Sequence, residues 1–193
     1  TAVVTAVTKG VITPLLAVSG LMNDGMVRDP GWRFLDIGRR IEAAVLMMSG
    51  VRAAMGEPHP PELFAPLSET TLNVWDSLIA YRRRYRSDIE ATVMFDMLFC
   101  DETNPRSLFS QLTVLLRDVT ALPGSEEIRS SLIAEVTDLV RLARSIDCLR
   151  LAKVDRHGKR RALVAATTDV EAALLGIASD IDLRYFVQLR PSV

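Results

Sequence analysis

An all-α fold follows from three features of this sequence. Apolar residues recur at i, i+3 and i+4 over long stretches. No alternating period-2 run is bounded by hairpin turns. Cap-plus-proline or Ser/Thr-x-x-Glu signals recur at the heads of the apolar stretches. The chain has 193 residues, 49% of them hydrophobic and 6% aromatic, enough to build one sizeable core. The expected architecture is a single multi-helix bundle over residues 1–193, with about six to seven helices, because short connections place successive helices side by side.

Each element has its own justification. Thr1 to Met22 is apolar and rich in small residues, and Gly10 and Pro14 predict a bent helix or two short ones. Asn23-Asp24-Gly25 reads as a turn. Asp29 caps the second helix and Pro30 takes its first position, where a missing N–H costs nothing. This helix is expected to run to Met55 and to end at Gly56-Glu57-Pro58-His59-Pro60-Pro61. One stripe of it carries Phe34, Ile37, Gly38, Ile41, Val45 and Met48, the mark of a core face. A second stripe sets Arg39 and Glu42 between Trp32, Leu35 and Leu46. A charged head buried there needs a fixed partner.

Ser68 is taken as the start of the third helix, which continues through Leu72, Trp75, Leu78 and Ile79 into Tyr81-Arg82-Arg83-Arg84-Tyr85-Arg86. Helical spacing puts Arg82 with the apolar residues and fans Arg83, Arg84 and Arg86 outward. Arg82 is expected to join Arg39 and Glu42 in one partly or fully buried charge network, paired to a carboxylate such as Asp36, Glu42 or Asp96. Ser87-Asp88-Ile89-Glu90 has the capping-box form and opens a helix through Phe99. Asn104 caps and Pro105 begins the next, to about Leu122. Pro123-Gly124-Ser125-Glu126-Glu127 is a turn with a cap and acids in the following first helical turn. A long helix then shows Ile128, Leu132, Val136, Leu139, Ala143 and Ile146 on one face. The basic stretch Val154 to Arg161, with Gly158, reads as a solvated loop. Thr168-Asp169-Val170-Glu171 caps a last helix bearing Leu174, Ile177, Ile181 and Tyr185.

Composition excludes some functions. A formal net charge of −1 gives no global pull toward nucleic acid, although Tyr–Arg interleaving at Tyr81 to Arg86 has the chemistry for stacking on a single strand. No stretch reaches ~18 uninterrupted apolar residues, so no membrane partner is expected. No secretory signal pattern is visible. Cys100 and Cys148 read as buried thiols of a reducing compartment, which points to the cytoplasm. They and the two histidines, His59 and His157, have no metal-ligand spacing; no metal and no cofactor are expected. No nucleophile–base frame or phosphate loop can be placed. The candidate binding residues are Arg39, Glu42, Tyr81, Arg82, Arg83, Tyr85, Asp101, Asn104 and Arg106.

Three strings together resemble a known family. They are Asp29-Pro30-Gly31-Trp32-Arg33-Phe34-Leu35-Asp36-Ile37-Gly38-Arg39-Arg40-Ile41-Glu42, then Tyr81-Arg82-Arg83-Arg84-Tyr85, then Asn104-Pro105-Arg106-Ser107 with Gln111 a turn later. In this order they are similar to the bacterial alpha-E domain, an all-helical family of formerly unknown function named for a Glu-Arg motif. The likeness runs from about Met22 to Phe186, and the chain resembles the later two-thirds of such a protein, beginning after a helix with a Gly-Arg-x-x-Glu-Arg motif. One departure is clear: Ala43 follows Glu42 where the motif has Arg. The resemblance implies neighbours more than a reaction. Alpha-E domains stand beside, or are fused to, circularly permuted ATP-grasp proteins, often with transglutaminase-like peptidases.

Two functions are therefore expected to compete. One is a non-catalytic helical accessory or scaffold module for an ATP-grasp peptide or amide ligase, inactive alone and open to forming a homo-oligomer. The other is a ligand-binding or catalytic domain with a charged inter-helix pocket.

Overall fold

In the computed structural model the described residues are 2–187, without the side chains of residues 2–7, 9 and 23. They form nine α-helices and one π-helical turn: α1 (Ala2–Gly25), α2 (Pro30–Met55), α3 (Pro61–Val74), α4 (Leu78–Tyr85), α5 (Ala91–Phe95), the π turn (Asp96–Cys100), α6 (Leu108–Thr120), α7 (Glu126–Arg144), α8 (Cys148–Ala152) and α9 (Arg161–Tyr185). No strand occurs among them. The all-α expectation holds, with more and shorter elements than the sequence pattern suggested.

The body is a ring of four helices. α2 packs on α9 and α6, while α7 closes the ring against both. α5, the π turn and α8 seal one end, and α3 and α4 lie beside α2 and α5. The core collects Ile37, Ile41, Met48 and Val51 from α2, Leu112 and Leu115 from α6, Leu132 and Val136 from α7, and Leu174 and Ile177 from α9. Full burial of such side chains contributes about 1.5–3 kcal/mol each. Long and apolar enough by length and composition to cross a membrane, α9 nonetheless spends its apolar face on this core, burying Leu163, Val170, Leu174, Ile177 and Ile181.

α2 has the bounds the sequence predicts. Asp29 Oδ1 accepts from Trp32 N at 2.9 Å, and Gly56 terminates the helix. Other boundaries differ. The predicted turn at Asn23–Gly25 is the last turn of α1, and α1 continues through Pro14; Thr1 lies outside the described residues. α3 begins at Pro61, not Ser68, and holds Pro66 inside it. Burial of Ser68, Thr71 and Leu72 along one face outweighs the hydrogen bond that Pro66 cannot make. The single helix expected from Ser68 to Arg86 is broken at Trp75–Ser77, where Asp76 is left-handed (φ +49°) and Ser77 N reaches back to Leu72 O at 2.8 Å. Glu90, without a side-chain cap bond, precedes α5 in place of the Ser87 box.

Later helices are also re-cut. Ser107, not Asn104, caps α6, its hydroxyl accepting from Ser110 N at 3.1 Å. Ser125 caps α7 as expected. The long helix expected to reach Val154 stops at Arg144, and Asp147 caps the separate α8. The capping box at Thr168 is not used: Thr168 Oγ1 donates to Val164 O at 2.8 Å, inside α9. α9 starts a full two turns earlier because Arg160 anchors it, donating its N–H to Gly56 O at 2.9 Å.

Arg160 also corrects the solvated-loop reading. It is 6% exposed and donates to Met55 O at 3.0 Å, Glu57 O at 3.1 Å and Ala152 O at 3.3 Å. These carbonyls sit at the C-terminal ends of α2 and α8, where a cation meets the negative end of the helix dipole. Desolvation pushes its guanidinium pKa down from the usual value.

Candidate functional site

The polar residues singled out by sequence divide into three places. Arg39 and Glu42 line a cavity of about 490 Å³ between α2, the α3–α4 turn and the segment before α6. Arg40, Trp75, Asp76, Arg106 and Gln111 also line it. Tyr81 to Tyr85 lie elsewhere, on α4. Asp101 lies at the exit of the π turn, also outside the cavity lining.

The walls of the cavity are held by polar bonds. Asp36, 2% exposed, accepts from Arg40 Nε at 3.2 Å. Arg39 Nη1 lies 3.8 Å from the same carboxylate. Arg40 Nη1 donates to Gln111 Oε1 at 3.0 Å, and Gln111 Nε2 donates to Pro105 O at 2.7 Å. Across the mouth, Arg106 Nη2 pairs with Asp76 Oδ2 at 3.1 Å. Gln111 is a wall residue the candidate set omitted, though it stood in the motif string.

Asn104 is the fixed point of this wall. Its amide donates to Ser77 Oγ at 3.0 Å and Met97 O at 2.9 Å, and its Oδ1 accepts from Arg106 N at 3.0 Å. With only 6% exposure, it positions neighbours and presents nothing to solvent. One turn of chain thus sets both the Asp76 side and the Arg106 side of the mouth.

The expected buried network of Arg39, Glu42 and Arg82 is not formed. Arg82 is 60% exposed and pairs with Glu69. Arg39 is 41% exposed, and Glu42 is exposed. The break at Asp76 rotates α4 relative to α3, so Tyr81 takes the core position instead and Ile79 is outside. Tyr81 accepts from Glu90 N at 3.1 Å and donates to Asp88 O at 3.4 Å, and burial raises its phenol pKa. Tyr85 packs beside it, ring centroids 5.0 Å apart. Arg83 faces solvent.

Buried charge sits elsewhere, where α6 meets α2. Asp118 of α6, fully buried, accepts from Arg33 Nη1 at 3.2 Å and Arg117 Nε at 3.1 Å. Desolvation, with Asp36 close by, raises its carboxyl pKa. Asp101 pairs with Arg84 Nη1 at 2.5 Å and accepts from Thr103 N at 2.9 Å and Thr103 Oγ1 at 2.7 Å. Desolvation pushes its pKa up, but the Thr103 and Arg84 hydrogen bonds together outweigh it and hold the carboxyl below its ordinary value.

Neither histidine is paired to a nucleophile among the described residues. His59 Nε2 lies 2.8 Å from Ala54 O, and Arg156 Nε lies 3.1 Å from His157 Nε2. Cys100 and Cys148, 48 residues apart in sequence, do meet: their free thiols share a hydrogen bond, Sγ to Sγ 3.6 Å.

Comparison with known proteins gives this architecture a family. Residues 2–186 match Alpha-E, described as a predicted alpha-helical domain with a conserved ER motif. The match extends about twenty residues before Met22, the start that the motif strings suggested, and takes in α1. No Glu-Arg dipeptide occurs in the 193 residues. Uncharacterized proteins of Mycobacterium tuberculosis and Mycobacterium bovis are 32% identical over 166 residues, 85% of this chain. The chain spans 18% of the length of those relatives. No solved structure matches it. The chain belongs to the Alpha-E family.

Proposed function

We propose that this domain is a non-catalytic helical accessory module that docks an ATP-grasp amide ligase, encoded nearby or fused, in bacterial peptide synthesis or modification. The observation that carries the reading is α1, none of whose described side chains is buried. Val11, Ile12, Leu15, Leu16, Val18 and Leu21 are each 47–71% exposed, a run of apolar side chains larger than scattered surface residues explain. No nucleophile–base pair stands among the described residues, which suits a docking body. The ATP-grasp partner comes from the family resemblance, as does a transglutaminase-like peptidase in the same setting. A cytoplasmic location follows from the same reading.

Pull-down of a co-expressed ATP-grasp protein tests it, comparing wild type with Leu15→Glu/Leu16→Glu. Retention by wild type and loss in the variant are expected. No binding by wild type, or turnover of ATP by the lone chain, overturns the reading.

A second reading rests on the charged cavity. Arg39, Arg40, Arg106, Glu42 and Asp76 together line about 490 Å³, a size and mix of charge suited to a zwitterionic amino acid or peptide end. Calorimetry with short peptides on wild type and Arg39→Ala separates this reading from the first.

A further inference from the structure

The sulfur pair at the sealed end of the bundle has a third neighbour. Asp96 opens the π turn and Cys100 closes it, while Cys148 is the first residue of α8. One carboxylate oxygen of Asp96 and the two Sγ atoms all lie within 4.8 Å of one another. Cys148 is buried, Cys100 half-buried and Asp96 exposed. Two packed elements from distant parts of the chain therefore converge three ligand-type side chains on one point, open to solvent on the Asp96 side.

We propose that Asp96, Cys100 and Cys148 form a zinc site with its fourth position open to water. The spacing fits two sulfur ligands of one zinc as well as the thiol–thiol hydrogen bond seen there, and is too long for a disulfide. A disulfide needs sulfurs about 2.05 Å apart, whereas two thiolates at about 2.3 Å from a tetrahedral zinc stand ~3.8 Å from each other. The observed 3.6 Å is close to the second value and far from the first. The ligand set is two thiolates and a carboxylate, which zinc accepts, and three protein ligands plus water is the usual form of an open site.

The backbone supports the arrangement. Asp101 N donates to Asp96 O at 3.0 Å, the i→i+5 bond of the π turn, and such turns concentrate at functional positions. Asp147 Oδ1 accepts from Arg150 N at 3.0 Å, fixing the start of α8 and hence Cys148. Binding is balanced as follows: Zn²⁺ takes two Sγ atoms and one carboxylate oxygen, and two thiol protons leave to solvent. The bound centre carries one net negative charge. It would join the π turn to α8 one residue before Asp101, bracing the segment that leads to Asn104 and Arg106. Sequence spacing expected no metal here because 48 residues separate the two cysteines.

Cobalt(II) is the probe. Reduced, untagged full chain titrated with Co(II) should bind one equivalent and develop a sulfur-to-cobalt charge-transfer band with tetrahedral d–d bands, reversed by Zn(II). Cys148→Ser should weaken binding by more than the ~10–100-fold that loss of a group supporting a metal ligand costs. Asp96→Asn should weaken binding and alter the d–d bands, with unchanged far-ultraviolet dichroism showing that both variants fold. No cobalt binding by the reduced chain overturns the proposal. So does binding that survives Cys148→Ser, or a Cys100–Cys148 disulfide in protein that takes up no metal when reduced.

Discussion

Asn104 and Ser77, 27 residues apart, share a buried hydrogen bond of 3.0 Å that ties the segment before α6 to the turn between α3 and α4. The same amide reaches Met97 O at 2.9 Å. Three pieces of chain thus depend on one side chain that was read from sequence as a helix cap or a ligand contact. Asn104→Ala leaves Ser77 Oγ and the Met97 carbonyl short of a partner. A loss of about 1–3 kcal/mol is expected, measured by urea unfolding. A loss below about 0.5 kcal/mol, the level of an ordinary surface change, contradicts the assignment.

The buried carboxylate of Asp118 gives a sharper contrast. Removing both of its arginines, with Arg33→Met/Arg117→Met, strands a charge in the core and should cost ~3–5 kcal/mol. Arg82→Met, at the 60% exposed pair with Glu69, should cost ~0–1 kcal/mol. Denaturant midpoints of the two variants check this; equal losses refute it.

Arg160→Met removes a buried cation that serves three carbonyls. Charge-assisted bonds of this kind contribute about 1.5–3 kcal/mol, so the variant should melt well below wild type. Fraying should appear first at the ends of α2 and α8, seen as faster amide exchange there. Unchanged exchange near Met55 and Ala152 would contradict a capping role.

Gly56 is a close approach between α2 and α9. A Cβ there would stand 2.6 Å from Arg52 O and 3.2 Å from Val164 Cγ2. The carbonyl cannot move without disturbing the helix end, so Gly56→Ala should destabilise by ~1–3 kcal/mol. A neutral or stabilising result in thermal unfolding would show that the junction is looser than described.

Asp101 sets a pH dependence. Its folded-state carboxyl lies below the ordinary value, so the native state holds fewer protons than the unfolded chain near that value. Its contribution is fully present above the unfolded pKa of about 3.9 and is lost as pH falls through the lower folded value. At neutral pH Asp101→Asn should therefore cost ~1–2 kcal/mol, reduced from a buried pair because Arg84 is partly exposed. The gap from wild type should close in acid. A gap that stays constant from pH 7 to about pH 3 contradicts the linkage.

The sequence by itself determined the helical class, the bounds of α2 and the caps at Asp29 and Ser125. These depend on local chemistry: an oxygen accepting from an N–H three residues on, a proline where no donor is needed, an apolar period near 3.6. The motif strings also carried the family. Tertiary structure decided what local signals leave open. A left-handed residue at Asp76 interrupts one apolar stripe and exchanges Tyr81 for Arg82 at the core. Packing against α2 and Gly56 starts α9 before its capping box. Ser107 takes the cap because Asn104 is drawn inward by Ser77 and Met97. The meeting of Cys100 with Cys148 has no local signature, because it depends on how the π turn and α8 pack across the end of the bundle.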